Sequence, residues 1–132
     1  MSIARLCAPL MLGLALSLNP TAAPAQAPAT VPVQLANFSF TPRTIVLDHG
    51  RPYVLRLANV SGGGHDFTAT EFFAAAAVAP GDRRLIQEGE VEVPSGQVRE
   101  IHLTAPAAGS YKLKCSHSFH KMFGMSGTIV VR

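Results

Sequence analysis

The 132-residue sequence has no run of basic residues, no apolar segment long enough to span a bilayer, and only two cysteines, Cys7 and Cys115. Each shortage excludes something. The formal net charge is only +3, without the clustered cations and interleaved aromatics that nucleic-acid binding uses, so no nucleic-acid partner is expected. The apolar run "LCAPLMLGLALSL" near the N-terminus falls short of the roughly 20 residues of a transmembrane helix, and nothing later is longer. The glycines of "SGGG" are not followed by the Lys and Ser/Thr of a phosphate-binding loop. No segment of the chain repeats another.

What is present begins with that apolar run. It follows Arg5 and leads into "NPTAAPAQAP", where Ala23-Pro24-Ala25 supplies the small residues a signal peptidase accepts. Residues 1–25 are therefore read as a signal peptide, 26–30 as a flexible tether and 31–132 as the folded domain, in a periplasmic or secreted protein. About 107 residues remain after cleavage, enough for one core and not for a second domain. Cys7 lies at the start of the apolar run rather than after it and should leave with the signal. The mature chain then carries a single thiol into a compartment where cysteines ordinarily pair. Cys115 must be buried, reactive by design or tied to a metal.

Strand-like alternation and turn residues dominate the mature chain. In "VPVQLANFSF" the apolar set Val31, Val33, Leu35 shifts phase to Phe38 and Phe40, which suggests a bulge near Asn37. "RTIVLD", "PYVLRLANV", a short strand at residues 65–69, "VEV", "QVREIHLTA", "GSYKLKC" and "GTIVVR" follow. One helix is expected, in "TEFFAAAAVAPGD", with Thr70 as its cap and Pro80-Gly81 as its stop. Seven to eight strands and one short helical insertion predict an all-β Greek-key sandwich. His102 should face away from the core and His49 should lie in a solvated turn.

Chemistry concentrates in "CSHSFHKMFGM", residues 115–125. Tyr111, Leu113 and Cys115 share one face of a strand and Lys112 and Lys114 the other, so the thiol points inward at the strand end. A soft thiolate followed by imidazoles and thioethers suits copper. Zinc competes for Cys and His, but the paired cysteines of most structural zinc sites are missing. The loop offers a Cys, at least one His and a Met; a second His must come from elsewhere. His65, in "NVSGGGHDF", is the candidate, because its strand would lie beside the Cys115 strand in a Greek-key sandwich. A surface turn histidine is the alternative reading, and the Gly64 carbonyl is a further weak donor.

At these residues the sequence resembles the cupredoxins, the blue type 1 copper proteins, over nearly all of its mature length. The distant His of "GGHDF", then Cys115, His120 and Met125 separated by four residues each, follow that family's ligand order with a longer loop like that of rusticyanin. "GMSGTIVV", "FSFTPRTIVLDHG" and "AGSYKLKC" are also similar to family strands. The resemblance implies one copper ion held by His65, Cys115, His120 and Met125. The chain departs from short-loop members at His117. A residue two positions beyond Cys115 reaches a shared ion only with strain, and the same objection applies to Met122 after His120. Phe119 and Phe123 would either shield the metal or fill the core.

Four protein ligands leave no open position for a substrate, so no enzymatic activity is expected. A binuclear electron-transfer centre would need a second loop cysteine. The resemblance implies a monomeric one-electron carrier cycling between Cu(I) and Cu(II), partnered by a redox protein. The alternative is a copper storage or delivery protein, partnered by other copper-handling proteins, which the extra His117 and Met122 would serve.

Overall fold

Alternate residues of "PYVLRLAN" are withdrawn from water: Tyr53, Leu55 and Leu57 are buried and Arg56 between them is exposed. A two-residue period also marks Thr44–Leu47, Glu90–Val93 and the end of Gly109–Lys114, whereas His65–Thr68 is buried at every position, in the computed structural model, which describes residues 17–117 and 123–132. In chain order the elements are β1 (Ala29–Ala36), β2 (Ser39–Thr41), β3 (Thr44–Leu47), β4 (Pro52–Asn59), β5 (His65–Thr68), α1 (Thr70–Ala75), β6 (Ala77–Val78), β7 (Glu90–Val93), β8 (Val98–Thr104), β9 (Gly109–Lys114) and β10 (Ser126–Val131). A 3-10 turn occupies Arg83–Leu85. Among the described residues, no helix is long and apolar enough to cross a membrane.

The strands form two five-stranded sheets, ordered β2-β1-β4-β8-β6 and β3-β10-β9-β5-β7. The β1–β4 and β3–β10 pairs are parallel and the others antiparallel. One apolar core lies between the sheets, with Leu35, Leu55 and Ile101 from the first and Ile45, Leu113 and Ile129 from the second. Phe67 is fully buried at its centre, within 5.9 Å of the rings of Phe40 and Phe73 between centroids. Burial of such a ring stabilises the fold by about 1.5–3 kcal/mol. This is the expected all-β sandwich.

Two local expectations are corrected. The phase shift at Asn37 is not a bulge: Asn37 and Phe38 form a two-residue turn, both with positive φ, and Ala36 pairs with Ser39 across it. The helix stops at Ala75, its N-cap is Ala69 rather than Thr70, and no side chain caps it. Helix propensity of the alanines loses to sheet pairing, because Val78 pairs with Leu103 and the Ala79 N–H donates to His102 O at 2.8 Å. Both short strands, β2 and β6, come from segments whose sequence suggested something else. His102 does face outward, where its Nδ1 lies 2.8 Å from Asp82 Oδ2, and His49 is exposed in its turn.

Gly127 fixes the last strand against β3 and β9. A β-carbon there would collide with the carbonyl oxygen of Arg43 and lie 3.2 Å from Leu113 Cδ2, and that same carbonyl accepts from the Thr128 N–H at 2.9 Å. Gly127→Ala is expected to cost at least about 2 kcal/mol through overpacking. A urea titration should show a lower midpoint with an unchanged slope.

Candidate metal centre

The β9–β10 hairpin places two sulfur-bearing residues side by side. Cys115 follows the last residue of β9 and Met125 precedes the first of β10, with Lys114 opposite Ser126. The Cys115 N–H donates to Met125 O at 3.0 Å, which closes the neck of the intervening loop. Period-two alternation sends Lys112 and Lys114 to solvent and Leu113 and Cys115 inward. Cys115 and Met125 are 0% and 1% exposed.

Strand β5 runs antiparallel beside β9, with Thr68 opposite Lys114. The alignment continues past the strand end through Asp66, whose carboxylate accepts from the Ser116 N–H at 2.8 and 3.0 Å and from the Ser116 hydroxyl at 2.6 Å. The Thr68 hydroxyl donates to Asp66 Oδ1 at 2.7 Å. His65, one residue before Asp66, is 3% exposed. Of the expected ligands, the structure thus brings His65, Cys115 and Met125, all buried, to one end of the second sheet. His120 lies outside the described residues, as do Phe119 and Met122.

His117 has a different environment. Its Nε2 is 3.1 Å from Glu92 Oε2 and 3.5 Å from Asp66 Oδ2, and its side chain is about one-third exposed. Ligand atoms of these three residues all lie within 4.8 Å of one another. The donors are one nitrogen and two carboxylates, harder than the Cys/Met pair, and both Asp66 oxygens already accept from Ser116. Gly64 packs against this group: a β-carbon there would meet Glu92 Oε1 at 3.3 Å and His117 Cε1 at 3.5 Å. Phe123 does not fill the core. It is 67% exposed and rests on Phe38.

Burial pushes the Cys115 thiol pKa up, opposed by backbone hydrogen bonds from Asp66 and His117, while the charges of Asp66 and Glu92 push it further up. A bare thiolate is therefore disfavoured, and a metal bound there would displace a proton. Two soft sulfurs and an imidazole, shielded from water at one sheet end, fit a copper ion and are poor donors for magnesium or calcium.

Two residues outside the expected ligand set order this end. Asn59 is 2% exposed; its Nδ2 donates to Gly63 O and Val93 O, both at 2.8 Å, and its Oδ1 accepts from the Ser61 N–H and hydroxyl. It ties down the glycine loop that precedes His65. Asp66 does the same for the segment after Cys115. A polar side chain at an otherwise inward-facing strand end was the available signal for Asn59, and the carboxylate adjoining the candidate histidine was the signal for Asp66.

The family model of the Cupredoxin-like domain matches residues 8–131. The chain belongs to the cupredoxin-like family. Among solved structures this cupredoxin-like chain is similar to auracyanin B, at 21% identity over 81% of this chain and 91% of that one, with a TM-score of 0.60. It is also similar to the auracyanin of Roseiflexus castenholzii, at 17% identity over 81% and 99%, TM-score 0.59. Auracyanin A of Chloroflexus aurantiacus, described as a blue copper protein, shares 18% identity over 80% and 100%, TM-score 0.56. At these identities the likeness shows the sandwich fold. Among curated protein sequences none matches this chain.

Proposed function

We propose that this cupredoxin-like chain is an exported mononuclear copper protein that carries single electrons, with His65, Cys115, His120 and Met125 as its ligands. The observation that carries the reading is the burial of Cys115, Met125 and His65 at one sheet end, two of them joined by the Cys115 N–H to Met125 O bond. When bound, the ion supplies a one-electron couple between Cu(I) and Cu(II). The residues supply a fixed cage: Cys115 and Met125 sit on opposite sides of a closed hairpin neck, and Asn59 and Asp66 hold the two segments that bear the other donors. A cage that does not need to rearrange between the two charge states favours electron transfer. A filled set of protein donors offers no position for substrate, which argues against an enzyme. The blue copper description of auracyanin A, a protein of the same fold, supports the copper assignment.

Residues 1–25 act in this reading as a signal peptide and 26–30 as a tether, delivering the 31–132 domain to the periplasm or exterior as a monomer. Its partner is a redox protein. Copper storage or delivery is the second reading, favoured by the half-open group of His117, Glu92 and Asp66 beside the Cys115 segment, where a passing ion could be met before it reaches the buried donors. Repeated reduction by ascorbate and reoxidation by ferricyanide, in the presence of a Cu(I) chelator, separates the two. A carrier keeps its copper through many cycles; a delivery protein gives it up to the chelator in the first reduction.

Met125→Leu is expected to keep the visible colour, because the Met125 thioether would be the weakest donor to the ion. Its loss should favour the reduced ion by about tenfold, raising the potential by about 59 mV in a voltammetric measurement. Loss of copper binding in that variant would contradict a weak-donor role for Met125.

A further inference from the structure

The turn between β1 and β2 holds a conformation that one of its residues disfavours. Asn37 and Phe38 have φ of 42° and 63°, the left-handed pair that matches a two-residue turn to the twist of its flanking strands. Asparagine tolerates that region. At the second position glycine is the usual occupant, because a β-carbon crowds the following carbonyl. Phenylalanine there is strained, and burial does not account for it, since Phe38 remains 42% exposed.

What the conformation provides is a contact between the sheets at the metal end. The Phe38 ring centroid lies 5.0 Å from that of Phe123, with the planes at 48°, within the range of favourable aromatic pairs. Phe123 stands two residues before Met125 on the segment that returns from the ligand loop to β10. Beyond Met125 the chain is held again, by Arg43 Nε donating to Ser126 O at 3.1 Å, and Met125 O itself accepts from Cys115. The described approach to Met125 is thus braced on its outer side by the Phe38 ring and on its inner side by the strand.

We infer that Phe38 is a positioning residue for the metal donors: the left-handed turn holds its ring against Phe123 so that the Phe123–Met125 segment keeps its place whether or not an ion is bound. Strain of this kind persists where the surrounding structure uses it. The role rests on the reading of Cys115 and Met125 as copper donors. It separates two properties that an ordinary packing residue would move together, since glycine at position 38 relieves the turn while removing the brace.

The test uses the copper-loaded and metal-free full chain with Phe38→Gly, Phe38→Tyr, Phe123→Ala and the Phe38→Gly/Phe123→Ala double variant. Phe38→Gly is expected to melt, when metal-free, at or above the wild-type temperature, yet to release Cu(I) to a chelator about fivefold faster, as befits the loss of one aromatic pair. Phe38→Tyr keeps the ring and should release copper at the wild-type rate. Phe123→Ala should accelerate release as Phe38→Gly does, and the double variant no further, because both remove one contact. A wild-type release rate in Phe38→Gly, or accelerations that add in the double variant, would overturn the brace alone. A wild-type protein that takes up no copper would overturn the reading of the site and this role with it.

Discussion

Cys115→Ser is expected to abolish the intense visible absorption of the copper-loaded protein while leaving a folded sandwich. The band requires a thiolate on the metal, and serine offers a hard alcohol whose proton is far less readily displaced. Copper affinity should fall by more than about 100-fold, beyond the range seen when only a partner of a ligand is removed. The fold should survive, because serine is close in shape and the cost of hiding its hydroxyl is about 1–3 kcal/mol. Backbone groups of Asp66 and His117 already directed at this side chain would lessen that cost. Circular dichroism of the metal-free variant checks the fold and the visible spectrum checks the ligand. A variant that stayed intensely coloured would remove Cys115 from the site.

The second large effect separates two histidines three residues apart. His120→Ala is expected to lose the blue spectrum, or to regain it only with added imidazole, whereas His117→Ala should bind Cu(II) and remain blue. The reasons lie in reach and engagement. A strand residue advances about 3.3 Å, so a ring two positions beyond Cys115 turns back to a shared ion only at a strained angle, while one five positions on can do so by way of a turn. His117 is also engaged elsewhere, with Nε2 at 3.1 Å from Glu92 and 3.5 Å from Asp66. Its removal leaves Asp66 still bonded to Ser116 and Thr68, so the stability cost should be about 1 kcal/mol or less for so exposed a pair. An essential His117 with a dispensable His120 would reverse the assignment.

Much of the fold was legible because strand alternation is a local signal. Tyr53, Leu55 and Leu57 share a face in the sequence and are buried together in β4, and the strand of His65 lies beside that of Cys115 as the Greek-key reading required. Where competition between distant segments decided the outcome, the sequence was less informative. Ala76 and Ala77 have good helix propensity, yet the helix ends at Ala75 and Ala77 pairs with β8 together with Val78. The Asn37-Phe38 turn resembled a bulge because phenylalanine is not a residue that announces a left-handed turn. At the site, the candidate donors come from chemistry, spacing and the family resemblance, and the structure brings three of them, His65, Cys115 and Met125, to one sheet end. For the supporting Asn59 and Asp66 the sequence offered only a polar side chain at the right place, since their roles depend on backbone groups brought near only by folding, such as Val93 O for Asn59 and Ser116 N for Asp66.

In the proposed centre, Cys115, His65, His120 and Met125 would hold one copper ion, with the Cys115 thiolate bound to it. Its most direct test is titration of the purified mature domain with Cu(II), followed by visible absorption and EPR. One equivalent should produce an intense thiolate-to-copper band with narrow copper hyperfine splitting, saturating at a single ion per chain. A colourless complex with wide hyperfine splitting, or a protein that binds only Cu(I), would contradict it.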